Sequence, residues 1–145
     1  MPRLRVAGVV LAIASVSFAG CKEVETETAT SYEPAHIEEI QGNPDVKRVT
    51  FTAEGARRTG LKTAAVRRDG RFEVVPYESL IYDAEGKAYV YTNPKPLTFL
   101  RVPVKVDRIE GNRVVLKDGP AARTAVVTVG AAEVYGTELE IAGSH

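Results

Sequence analysis

An all-β fold, a small antiparallel β-barrel with one or two short helices preceded by a disordered tether, is predicted by three observations. From Lys47 onward, short β-branched runs alternate with turn residues at the spacing of a small sandwich or barrel. Those turns are Asp69-Gly70, Asp83-Ala84-Glu85-Gly86, Asn93-Pro94-Lys95-Pro96, Glu110-Gly111-Asn112 and Asp118-Gly119-Pro120, all built from residues that accept positive φ or preset a reversal. A barrel of roughly 95 residues also buries about 60–65% of its unfolded surface, enough to fold without a metal or a disulfide.

The chain divides into three stretches. Residues 1–20 read as a signal peptide, because Arg3 and Arg5 precede an uncharged apolar run from Val6 to Phe18 that ends at the small residues Ala19 and Gly20. Ser15 and Ser17 interrupt that run, which is too short for a spanning helix of roughly 20 apolar residues. Residues 21–46 are rich in Glu and Thr, poor in apolar residues and without periodicity, and read as a flexible tether. Such a coil has a root-mean-square span of about 28 Å. Residues 47–145 form the barrel.

Within the barrel the strands are expected at Lys47 to Thr52, Lys62 to Arg67, Phe72 to Pro76, Ser79 to Tyr82, Ala88 to Thr92, Leu97 to Ile109, Arg113 to Lys117 and Ala125 to Val129. One helix interrupts them: Thr52 caps Ala53 to Thr59, and Gly60 supplies the left-handed residue that ends it. A second, single turn is expected through Ala131 to Tyr135, ended by Gly136. Along the long run, Leu100, Val102, Val104 and Val106 should face the core, while Arg101, Pro103, Lys105 and Asp107 face outward. Pro103 cannot donate to a ladder, so it marks an edge, a bulge or a change of partner.

The composition excludes several kinds of chemistry. Basic and acidic residues balance at 19 each, and without Arg3 and Arg5 the acids prevail, so there is no electrostatic footprint for nucleic acid. His36 falls in the tether and His145 is the last residue; with no His-x-x-x-His or Cys-x-x-Cys spacing, neither a metal nor a cofactor is expected. Asp69, Asp83 and Asp118 serve as turn formers, and no convergent catalytic set is evident, which speaks against an enzyme. Gly130-Ala131-Ala132-Glu133 lacks the phosphate-loop pattern. Tyr89 and Tyr91 share one strand face and read as half-buried packing residues.

Cys21 is the only cysteine, so no intramolecular disulfide can form. The run Ser17-Phe18-Ala19-Gly20-Cys21 resembles the bacterial lipobox, with Phe18 where that motif usually carries Leu. The resemblance implies that the Cys21 thiol receives a diacylglyceryl group and becomes the first residue of a mature, acylated lipoprotein, anchored to a membrane and facing out of the cytoplasm. Lys22 stands where an inner-membrane retention signal would place Asp, which favours sorting to an outer membrane in a two-membrane host.

The stretch from Val75 to Tyr91, Val-Pro-Tyr-Glu-Ser-Leu-Ile-Tyr-Asp-Ala-Glu-Gly-Lys-Ala-Tyr-Val-Tyr, is similar to the β-barrel domain of periplasmic adaptor subunits, the membrane fusion proteins of RND-type efflux pumps. Thr98 to Val104 resembles that family's Phe-x-Arg-x-Pro-Val run, and Gly119 to Glu133 its closing strand and turn. Upstream, Val49 to Thr52 with Ala56, Gly60, Leu61, Thr63 and Ala64 resembles the segment that enters the barrel. The chain has no stretch matching the family's lipoyl-like domain or helical hairpin, and it lacks the methionines of metal-exporting members. The resemblance implies an accessory subunit that docks on a transporter or envelope complex, with Arg101 as a contact to the partner; an oligomer is compatible with this. Two other readings stand beside it: a small-ligand module that uses the barrel mouth, and a structural envelope lipoprotein with no transporter.

Overall fold

The computed structural model describes residues 33–142, with side chains to residue 140. The described residues start with a hairpin, β1 (Ala35–Ile40) and β2 (Asn43–Phe51), that turns at Gly42. Helix α1 (Ala53–Thr59) follows; the Thr52 hydroxyl accepts from the Gly55 N–H at 3.0 Å, and Gly60 adopts φ 69° at its end, as expected. Next come β3 (Lys62–Ala65), β4 (Arg67–Asp69), β5 (Phe72–Pro76), a single 3-10 turn at Tyr77–Ser79 and β6 (Ile81–Tyr82). The remainder is β7 (Ala88–Lys95), β8 (Thr98–Pro103), β9 (Lys105–Glu110), β10 (Arg113–Asp118), β11 (Ala125–Val129) and helix α2 (Ala131–Ala142).

The fold is antiparallel β with two short helices, but the strands form two open sheets and not a closed barrel. The larger sheet runs β1-β2-β8-β7-β11-β3 with β6 beside β7; the smaller runs β4-β5-β10-β9. The chain passes directly from one sheet to the other at two buried residues, Val66 between β3 and β4 and Val104 between β8 and β9. The long run expected from Leu97 to Ile109 is therefore two strands, and Pro103 marks the point where the chain changes partners. Corners of this kind, where a bent strand serves both sheets, are a standard solution for packed sheets. A list of short runs and turns has the same appearance for closed and open ladders, which is why the pattern alone suggested a barrel.

Alternation along the central strands sends side chains to two cores. Val90, Val102 and Val126 pack with Val75, Val114 and Leu116 between the sheets, joined by the corner residues Val66 and Val104. On the other face of the larger sheet, Val49, Phe51, Tyr91, Phe99 and Val127 pack with Ala131 and Val134 of α2. Phe51 and Phe99 meet edge to face at 5.8 Å, a geometry that brings the positive ring edge onto the negative face. Leu100, expected in the core, is only half-buried, whereas Val102, Val104 and Val106 do lie in or against the inter-sheet core.

Two further boundaries differ from expectation. Strand β1 begins at Ala35, inside the stretch 21–46 expected to be a tether, and it buries Ala35 while His36, Glu38 and Glu39 face outward. Such a strand carries little apolar signal; cross-strand pairs Arg48–Glu38 at 2.8 Å and Lys47–Glu39 at 2.7 Å help fix its register. The signal peptide, Cys21 and the first part of the tether lie outside the described residues. At the other end, α2 continues past Gly136 to Ala142 in place of the single expected turn. A mid-helix glycine costs about 1 kcal/mol relative to alanine, and burial of Ala131, Val134 and Glu138 on one stripe offsets it.

Candidate functional site

The strand phase places Arg101 on the face opposite Val102 and Val104, as alternation requires, but that face is not open to solvent. Arg101 pairs across the ladder with Tyr91, and α2 covers both. Glu138 of α2 reaches down to this spot, and the side chains of Arg101 and Glu138 are only 10% and 2% exposed. Arg101, expected as an exposed contact for a partner, is instead enclosed by the protein itself.

Every oxygen of the Glu138 carboxylate is used. Oε1 accepts from the backbone N–H of Lys47 and from Arg101 Nη2, both at 3.1 Å. Oε2 accepts from the Tyr91 hydroxyl. The guanidinium also donates through Nη2 to the Asp45 carbonyl, and it lies between two aromatic rings, 4.8 Å from the Tyr89 centroid and 5.4 Å from that of Tyr135. A buried ion pair is tolerated only when further hydrogen bonds satisfy its remaining groups; here strands β2, β7 and β8 supply them to a carboxylate carried by α2. Arg101 Nε is buried and finds no hydrogen-bond partner among the described residues.

The surroundings shift the two titratable partners of Glu138. Burial pushes the Tyr91 phenol far above its ordinary value, and the hydrogen bond to Glu138 and that residue's charge add to the effect. For Arg101, burial disfavours the charged form, but the Glu138 carboxylate outweighs it, and the guanidinium is held above its ordinary value. With three donors on the Glu138 carboxylate and the Tyr91 phenol held far above its ordinary value, the cluster ties α2 to strands β2, β7 and β8 as a joint.

Above the joint lies a shallow pocket of about 250 Å³ lined by Asp45, Val46, Asp83, Glu85, Lys87, Tyr89, Arg101 and Tyr135. The loop bearing Asp83 is held by its own side chain, which accepts from the N–H groups of Glu85 at 3.0 Å and Lys87 at 2.8 Å. The accessible charges at this rim are therefore Asp45, Asp83, Glu85 and Lys87, while Arg101 positions the tyrosines beneath them.

Sequence reasoning reached Arg101 and noted Tyr89 and Tyr91 on one face, but it missed Glu138. The signal was present: Ala131, Val134 and Glu138 fall at i, i+3 and i+7, which puts a carboxylate in the apolar stripe of a helix. Of the three expected turn formers, Asp83 holds its turn, whereas Asp69 and Asp118 are the last residues of β4 and β10. No protein-family model and no curated protein matches the chain.

Proposed function

We propose that this chain is a membrane-anchored, extracytoplasmic lipoprotein that serves as an adaptor-like accessory subunit, docking on a transporter or envelope complex of the efflux type. The observation that carries this reading is the Ser17-Phe18-Ala19-Gly20-Cys21 run behind an apolar leader, followed by segments that resemble an adaptor domain in their order and spacing. Among the described residues no helix is long and apolar enough to cross a membrane, so in this reading attachment comes from the acylated Cys21. Two acyl signals or more give stable anchoring, whereas one chain alone is only marginal.

The joint between Arg101 and Glu138 supports a docking role by holding α2 and the β6–β7 loop as one rigid rim, so a partner would meet Asp45, Glu85 and Lys87 without first ordering them. A small ligand held between the sheets has less support, because that space is filled by Val75, Val90, Val114, Leu116 and Val126. The test has two parts. Fractionation of cells should leave the wild-type chain in the membrane pellet after a high-salt wash and release the Cys21→Ser variant; a serine variant that stays in the pellet refutes the lipid anchor. Crosslinking in cells should then recover a large permease with the wild-type chain, and recovery of no envelope protein refutes the docking role.

A further inference from the structure

The continuous run from Lys62 to Asp69 pairs with β11 through its first half and with β5 through its second. The Val66 N–H donates to the Thr124 carbonyl at 2.8 Å, so by alternation Ala64 turns its backbone groups to β11, while Thr63 and Ala65 turn theirs the other way. Strand β5 occupies that other side only as far as Arg67, opposite Val74. Beyond this point β5 leaves with the smaller sheet: Val75 pairs with Val114 of β10, and Pro76 has no N–H and a carbonyl that accepts from the Ser79 hydroxyl at 2.7 Å. A wedge of about 310 Å³ opens between two unlike walls. One is the edge of β3, where no strand among the described residues pairs with Thr63 and Ala65 from that side; the other is Val75 and Pro76, which offer the wedge no backbone donor.

We infer that this wedge receives an extended, acidic segment of a partner protein, added to the larger sheet as a strand beside β3. Main-chain hydrogen bonds to a sheet edge give such recognition its affinity, and alternate side chains give it specificity. Ala64 lies on the same face of the run as the core residue Val66, and Val75 belongs to that core, so every second side chain of the added strand meets an apolar surface. Ala65 and Arg67 share the opposite face, so the side chains in between meet a cation. Arg113 also lines the wedge but is paired with Asp69 at 2.7 Å, whereas Arg67 has no ion-pair partner among the described residues. Glu78 lines the wedge from the 3-10 turn, which sets the acidic contact at the Arg67 end. Small or β-branched residues alternating with Glu or Asp satisfy both faces.

Charge separates this occupant from a second copy of the chain. The β3 edge of another copy, Lys62–Ala65, carries no carboxylate for Arg67. The acidic edge strand β1 of another copy carries Glu38 and Glu39, but these already pair with Arg48 at 2.8 Å and Lys47 at 2.7 Å. Nor can β5 close the wedge itself, because Pro76 has no N–H to offer the carbonyls of β3. The wedge shares no lining residue with the rim of Asp45, Glu85 and Lys87, and the inference rests neither on the lipid anchor nor on a transporter.

Hydrogen exchange on the intact chain, with the synthetic peptide Glu-Val-Glu-Thr-Glu-Val in excess, tests the inference. The Thr63 and Ala65 amides should slow about tenfold, while unchanged β11 amides report that the fold is intact. The peptide Lys-Val-Lys-Thr-Lys-Val should leave the same two amides as they were, and Arg67→Glu should reverse the preference between the peptides. Ala65→Pro removes an outward N–H without breaking the ladder to β11, and it should abolish the protection of Thr63. Unaltered exchange of Thr63 and Ala65 in the acidic peptide overturns the inference, and so does equal protection by both peptides, which would leave Arg67 without a role. Protection that rises with protein concentration in the absence of peptide also overturns it, because the edge then belongs to a second copy.

Discussion

The guanidinium of Arg101 meets the carboxylate of Glu138 at 3.1 Å across the joint between β8 and α2, with both side chains withdrawn from solvent. Because each is the other's ion-pair partner, removing one leaves the remaining charge buried without its counterion. Glu138→Ala should lower stability by about 3–5 kcal/mol, and Arg101→Ala by a similar amount, whereas replacing both with apolar residues should cost less than either single change. Urea denaturation of the two alanine variants and their double variant closes the cycle, and Arg101→Met with Glu138→Leu tests the apolar replacement.

Tyr91 makes stability depend on alkaline pH. Its phenol titrates at 10.0 when unperturbed and far higher in the folded chain, so above that pH the unfolded state loses its proton while the folded state keeps it. Stability contributed by this group is complete below pH 10 and declines as the pH rises beyond it, by up to about 1.4 kcal/mol per unit. Tyr91→Phe should remove that slope, and it should also cost about 1–3 kcal/mol at neutral pH by depriving Glu138 of a donor. Denaturation curves from pH 8 to 11 on both proteins, about the 10.0 reference, decide it.

Two helical glycines should respond to alanine with opposite signs. A Cβ at Gly136 would meet nothing within 4 Å, so Gly136→Ala in α2 should stabilise by about 0.4–1 kcal/mol. At Gly55 in α1 the added Cβ would collide with the Pro34 carbonyl, which belongs to the backbone and cannot rotate away. Gly55→Ala should destabilise by about 1–3 kcal/mol and speed hydrogen exchange in β1. Thermal unfolding ranks the two variants.

Val104→Asp should abolish folding. Val104 is 7% exposed, at a corner shared by both sheets, and a buried unpaired carboxylate there costs several kcal/mol against a total stability of about 5–15 kcal/mol. Circular dichroism of the purified variant should show loss of the β spectrum at neutral pH.

Much of this architecture was legible wherever local chemistry decides structure. Thr52 and Gly60 fixed both ends of α1, and the inward set Val102, Val104 and Val106 followed from alternation. What escaped depends on distant partners. β1 is legible only once β2 is beside it, since one small residue, Ala35, carries most of its burial. Helix α2 runs through Gly136 because Glu138, beyond it, finds Arg101, Tyr91 and the Lys47 N–H, residues 37 to 91 positions away in the chain. Likewise, the outward face of β8 was predicted correctly by phase, but nothing local to β8 states that a helix from the chain's end will cover it. The candidate site was half-legible for the same reason: its cation lay in a quotable motif and its anion did not.

The placement of Glu138 also sets an order in time. A polypeptide emerging N-terminus first presents Asp45, Lys47, Tyr91 and Arg101 long before the residue that joins them. Until α2 emerges, Arg101 lacks the carboxylate of Glu138 and the core of Phe51, Tyr91 and Phe99 lacks Ala131 and Val134. The ion pair therefore closes only once α2 arrives, and the turn of α2 that carries Glu138 acts as the latch of the larger sheet.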